Sequence, residues 1–211
     1  MTLADLESLT AELVDARRAE LTQVLRVVGA HKDTPLESTA AVMAIPVIYA
    51  HWEGFVKELL TLYLEHIEKQ TIEPPNLQPH LFSFSMRSKI KTLSDSGSVE
   101  RQAEFATWMI EQLSKPVLFE NKKVDTHSNL SYENLKLLCD TLFLNISSIA
   151  TSRRHINALV HKRNNIAHTG RPIQLDEGSV ENDKELVMRL IESFAAVVIE
   201  NAKNQSFRLA A

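Results

Sequence analysis

The sequence predicts an all-α protein, and three observations carry that prediction. Glycine is scarce, with 5 residues in 211, so the usual punctuation of β-turns is thin. Leu, Ala, Glu and Lys are abundant, and these are strong helix formers. Apolar residues also recur at steps of three and four through most of the chain. The length suits a single domain over 1–211 that could carry an insertion. At 44% hydrophobic and 24% charged residues the composition is that of globular material able to bury a core.

The first helix is expected over about residues 3–28, where Leu6, Leu9, Leu13, Leu21, Leu25 and Val28 keep helical spacing. Gly29 is its expected stop. The second helix should begin at Thr34-Pro35-Leu36-Glu37, with Thr34 as N-cap, Pro35 at the first helical position and Glu37 completing a capping box. From Val42 through Ile45, Tyr49, Trp52, Val56 and Leu59 to Tyr63 the steps alternate three and four, a sustained packing seam. Ile48, Phe55 and Leu62 form a second stripe, so this helix is expected to be buried on more than one side. Pro46 should kink it, and Gly54 leaves room for a close neighbour.

Residues about 71–130 read as an insertion or elaboration. Pro74, Pro75 and Pro79 interrupt the pattern, and a short basic stretch, Arg87 to Lys91, precedes the loop Ser94-Asp-Ser-Gly-Ser. A helix is expected over about 99–114, ended by Pro116, and Val117-Leu118-Phe119 reads as a short strand. Asn129 is most simply a turn or cap residue. Ser131 should cap a further helix through Leu135, Leu138 and Leu142. Another is expected over about 152–168, closed by Gly170 and Pro172. The last should run over about 182–203. Cys139, the single cysteine, sits among leucines and reads as a buried structural thiol. It can form no internal disulfide, which fits a reducing compartment.

The opening Met1-Thr-Leu-Ala-Asp-Leu-Glu is acidic and lacks a basic leader. No apolar run approaches the ~20 residues of a membrane span. The expectation is a soluble, cytoplasmic protein without membrane contact. A net charge of −4 argues against nucleic-acid binding over the whole surface.

One region departs from that balance. From Thr141 to Leu175 there is no Asp or Glu, while Arg153, Arg154, Lys162, Arg163, Arg171, His155, His161 and His168 all fall within it. Such a patch suits phosphate recognition. Its simpler reading is a solvated helix face, or cations favoured by a helix C-terminus.

Within the patch lies His161-Lys162-Arg163-Asn164-Asn165-Ile166-Ala167-His168-Thr169. Cleaving RNA through its own 2′-hydroxyl needs a base, an acid, and cationic support for the phosphorus oxygens. Arg163 stays protonated and can brace a phosphate through two parallel hydrogen bonds. An imidazole such as that of His168 can take or give a proton near neutral pH. Asn164 could orient the imidazole or a phosphate oxygen. One copy supplies one such imidazole; two copies across a two-fold axis would supply an acid and a base. Arg163 and His168 lie about 140° apart on an ideal helix, so they share a cleft only if the helix end deforms or a second copy closes the site. Arg26 and His31 have the same spacing but straddle Gly29 and lack the polar residue after Arg. Arg154 is kept as an accessory cation, with His161, Lys162, Asn165 and Arg171. His161, Asn165 and His168 share a face, but no carboxylate lies near in sequence and no metal is expected. Glu53 reads first as an exposed partner of Lys57, four residues on, and second as an accessory polar group. His51 and Trp52 read as packing residues.

At Arg163, Asn164 and His168 the chain resembles the HEPN superfamily, helical domains that dimerise and carry Arg-x(4–6)-His, usually with Asn, Asp or His after the Arg. The segment Tyr49-Ala-His-Trp-Glu-Gly-Phe-Val-Lys57 is similar to the signature of the MAE-type HEPN nucleases, a bacterial group associated with defence and toxin loci. Ser128-Asn129-Leu130 and Arg171-Pro172 before the terminal helix also fit. The resemblance implies a HEPN-like helical bundle with a long kinked second helix. It further implies an endoribonuclease that uses no metal or other cofactor, works at a homodimer interface, and leaves a 2′,3′-cyclic phosphate and a 5′-hydroxyl. It places the protein in a toxin–antitoxin or antiviral defence setting, with a cognate antitoxin or other neutralising partner. Two alternatives stay open: a non-catalytic helical module binding RNA or a protein through the same basic face, and a DNA-binding helical protein.

Overall fold

The computed structural model describes residues 1–94, 98–120, 122, 124–126, 129–169 and 174–209. Among the described residues there are eight α-helices: α1 Leu3–Ala30, α2 Glu37–Lys69, α3 Pro79–Ser85, α4 Arg87–Ser94, α5 Val99–Gln112, α6 Tyr132–Thr141, α7 Arg153–Thr169 and α8 Ser179–Lys203. The fold class is all-α, as the sequence predicts. Among the described residues there is no β-strand, only one isolated bridge between Leu77 and Arg208.

α2 is the axis of the bundle, packed against α1, α7 and α8. Its two apolar stripes explain this: Ile45, Ile48, Trp52, Phe55, Val56, Leu59 and Tyr63 are all fully buried. Trp52 meets Phe194 of α8 edge to face at 6.0 Å, a favoured aromatic geometry. By length and composition α2 is long and apolar enough to cross a membrane, which corrects the expectation that no segment comes near that length. Its apolar residues are instead the core of this bundle. Pro46 lies within α2 without ending it. At Gly54 a Cβ would stand 3.5 Å from the Arg17 guanidinium, an ordinary van der Waals contact, so this neighbour does not require a glycine there. Arg17 of α1 bonds both oxygens of Glu58 at 2.8 Å, which fastens α1 across α2.

Several expected boundaries move, each for a local reason. Gly29 does not stop α1, which runs on to Ala30 and is capped by His31; the reversal comes at Asp33, with φ +59°. Thr34 does not cap α2. Its hydroxyl donates to His31 O and accepts from Leu36 N, closing a tight turn, and the N-cap falls at Leu36. Glu37 still reaches back, accepting from Asp33 N at 3.0 Å. Val117-Leu118-Phe119 is not a strand: Val117 N donates to Ile72 O at 2.8 Å, and Phe119 N donates to the Glu68 carboxylate at 3.1 Å. Ser131 caps α6 as expected, accepting from Asn134 N. α8 starts at Ser179, after Gly178 in the left-handed region at φ +73°. Cys139 is buried, and burial pushes its thiol up to about 12. The expected stops Gly170 and Pro172, with Ser128, lie outside the described residues.

Two imidazoles give the bundle an acid-side weakness. Burial pushes His66 and His51 below the ordinary histidine range. The unfolded chain therefore binds more protons than the native one once the pH falls below the unfolded value of about 6.5. Stability is full above that pH and declines as the pH drops from there toward the lowered native values. The melting midpoint at pH 5.5 should lie below that at pH 7.5, and His66→Met should narrow the gap. Equal midpoints in the wild type would refute the assignment.

Candidate functional site

α7 carries the Arg-Asn-x-x-x-His segment. Ile156, Leu159 and Val160 are buried and hold one face of the helix against the core. Its start is tied to α6: Arg153 and Asn157 both donate to the Glu133 carboxylate, at 2.8 and 3.0 Å. Tyr132 N donates to Asn157 Oδ1 at 2.9 Å.

The acid-free stretch is less positive in space than in sequence, because acids arrive from elsewhere. Glu133 takes Arg153. Asp183, a buried carboxylate on α8, accepts from Lys162 Nζ at 2.8 Å, and Ser179 Oγ accepts from the same ammonium at 3.0 Å. Lys162 thus ties α7 to α8 rather than standing free for a phosphate. Lys162→Ala leaves the Asp183 carboxylate buried without its cation and should cost about 1–3 kcal/mol. Chemical denaturation would measure it. A normal midpoint would show that this tie carries no stability.

Arg163 turns toward α2. Its guanidinium lies over the Tyr49 ring, 4.9 Å from the centroid, and Nη1 donates to Asn164 Oδ1 at 2.8 Å. Asn164 therefore orients the arginine next to it. Tyr49 is itself held from both sides. Its oxygen accepts from Leu130 N at 2.6 Å, and its hydroxyl bonds the Glu53 carboxylate. Burial pushes the phenol up to about 12. Glu53 also accepts from Lys57 Nζ at 2.7 Å and from Thr126 Oγ1. Burial alone would raise this carboxyl, but the bonds from Lys57, Thr126 and Tyr49 outweigh it and hold the group below its ordinary range. The Glu53–Lys57 pair is thus not the exposed pair expected: the Glu53 side chain is only 12% exposed.

The remaining candidates stand on the surface. His168 is exposed in the last turn of α7 and has no hydrogen bond or ion pair among the described residues. His161 is exposed, with Nε2 3.0 Å from the Asn165 amide. Arg154 is exposed and likewise unpaired among the described residues. Arg171 lies outside them. Among the described residues no three His, Cys, Asp or Glu side chains are grouped to hold a metal ion. The helix stays regular through Thr169, so its end does not deform to bring Arg163 and His168 together. Of the proposed site residues, the fold connects Arg163 and Asn164 to Glu53, through Tyr49, and leaves the histidines apart from them. Thr126 and Asp183 were not singled out from sequence, and Tyr49 entered only as part of the α2 seam and of the Tyr49–Lys57 segment, not as a site residue. Tyr49 left a signal: Tyr49, Glu53 and Lys57 follow at four-residue steps and so share a face.

An all-helical bundle with Arg-Asn-x-x-x-His on its penultimate helix is what a HEPN domain would present. The family model described as HEPN_MAE_28990-like HEPN matches residues 6–207, and the chain belongs to that family. No curated protein and no solved structure matches the chain.

Proposed function

We propose that the protein is an endoribonuclease that needs no metal and cuts RNA at a site completed by a second copy of the chain. The observation that carries this reading is the prepared arginine. Arg163 is stacked on Tyr49 and clamped by Asn164, an arrangement that fixes a guanidinium for a phosphate. Among the described residues no imidazole is bonded to it. A two-fold partner would bring two His168 side chains to one phosphate, one as base and one as acid. The 2′-oxygen would attack phosphorus as one imidazole takes its proton. The bond from phosphorus to the 5′-oxygen would break, and the other imidazole would protonate that oxygen. The products are a 2′,3′-cyclic phosphate and a 5′-hydroxyl. His161, Asn165, Arg154 and Arg171 are proposed to contact the flanking strand. A toxin or antiviral defence role with a neutralising partner fits the family.

The test is cleavage of a mixed single-stranded RNA in EDTA by wild type, His168→Ala and Arg163→Ala, with end-group analysis. Cutting that leaves cyclic phosphate and fails in both variants supports the reading. Equal cutting by all three would sink it. Binding of RNA without cutting, by a dimer, would favour the non-catalytic module instead.

A further inference from the structure

A second surface has chemistry that the site on α7 does not use. From Pro74 through Ser94 the sequence has no Asp or Glu, yet it holds Arg87, Lys89 and Lys91. These three cations lie on α4. Neither α4 nor α5 buries a single residue, although α5 carries Phe105, Trp108 and Ile110. The two helices pack on each other and form an arm beside the bundle.

The cleft between them, about 430 Å³, is lined by Lys89, Arg101, Phe105 and Trp108, with Thr92 and one acid, Glu104, among its other walls. The Phe105 and Trp108 rings are tilted against each other, 35° between planes and 5.8 Å between centroids. Lys89 stands 5.8 Å over the Trp108 ring. Lys89, Lys91 and Arg101 form no ion pair among the described residues. Half-exposed rings beside unpaired cations are the pattern that binds single-stranded nucleic acid: bases stack on the rings and phosphates meet the cations. The contrast within the molecule is instructive. The groove between α1 and α2, lined by Val24, Val27, Met43 and Val47, contains no Lys or Arg, and it offers nothing to a phosphate.

We propose that the α4–α5 arm binds a single strand of RNA, with bases on Phe105 and Trp108 and phosphates on Lys89 and Arg101. The choice of RNA over DNA rests on the nuclease reading above. The stacking and the charge pairing do not. On the other side of α4, Arg87 and Lys91 face a larger cleft shared with Lys57, and Lys57 bonds Glu53 beneath the Tyr49–Arg163 stack. Glu120 and Asp125 also line that cleft, so the strand site is assigned to the α4–α5 side alone.

The test uses the full chain carrying His168→Ala, so that the probe survives. A dye-labelled single-stranded RNA of 16 nucleotides is titrated by anisotropy at several salt concentrations. Adding Trp108→Ala should weaken binding about tenfold or more. Adding Lys89→Ala with Arg101→Ala should lower the slope of log K against log salt by about 1.4, roughly 0.7 for each lost phosphate contact. Because no residue of α4 or α5 is fully buried, these variants should melt close to the parent. Binding within twofold of the parent for Trp108→Ala, or an unchanged slope for the double variant, overturns the proposal. So does a parent that binds no RNA, which would leave a protein as the occupant. Cleavage of the same RNA by wild type separates the two readings. Cutting with no effect of the arm variants sinks the arm alone, and arm-dependent binding without cutting sinks the nuclease alone.

Discussion

His168→Ala should slow RNA cleavage by about 10²- to 10⁴-fold, the usual worth of a positioned general acid or base. The stoichiometry of that loss is more telling than its size. α7 keeps its helical form to Thr169, which sets His168 about 140° around the helix from Arg163. If the site needs both copies, a dimer with one alanine lacks either the acid or the base. Wild type co-refolded with increasing His168→Ala should then lose activity as the square of the wild-type fraction. A linear fall would mean that one imidazole is enough and that the two-fold site is wrong. The same mixtures should be homogeneous dimers by light scattering, which separates a failed site from failed assembly.

Tyr49→Ala should be the most destabilising change at the site, about 3–5 kcal/mol for a large buried ring. Tyr49 is 1% exposed and sits where α2 meets α7. Tyr49→Phe separates its two contributions. It keeps the ring under Arg163 but leaves the buried Leu130 N–H without an acceptor and Glu53 without one donor, at about 1–3 kcal/mol. Cleavage should therefore stay within a few-fold of wild type in the Phe variant. In the Ala variant, losing the cation–ring contact, worth ~0.5–2 kcal/mol, removes roughly two- to thirtyfold of activity. Equal activity losses in the two variants would show that the phenol, not the ring, supports Arg163. Urea denaturation and single-turnover cleavage on the same preparations read the two effects apart.

The long helices were legible because their signal is local and repeated. α2, α7 and α8 each bury the stripe that their spacing marks. The points that moved are those decided by one or two contacts. Thr34 looked like a cap, but its hydroxyl found His31 O and Leu36 N within the turn. Val117 to Phe119 has the composition of a strand but, among the described residues, meets one backbone acceptor and one carboxylate. At the site, Arg163, Asn164 and His168 could be picked out because they are close in sequence. Their surroundings could not be. The partner of Lys162 is 21 residues away on α8, and Arg163 rests on a ring from α2. A linear charge count sees an acid-free island where the fold supplies Glu133 and Asp183. Glu53 was misjudged for the same reason: its fourth-residue partner is local, but Thr126 and Tyr49 enclose it from elsewhere.

The absence of any buried residue in α4 and α5 has a consequence for how the chain can change. Amides in such a segment are protected from exchange only by its own helical bonds, and it opens locally at little free energy while α2 stays closed. Sequence drift there is not screened by the stability of the bundle. Substrate preference could be retuned in the arm, or the arm exchanged for another, while α2 and α7 continue to hold Arg163 over its tyrosine.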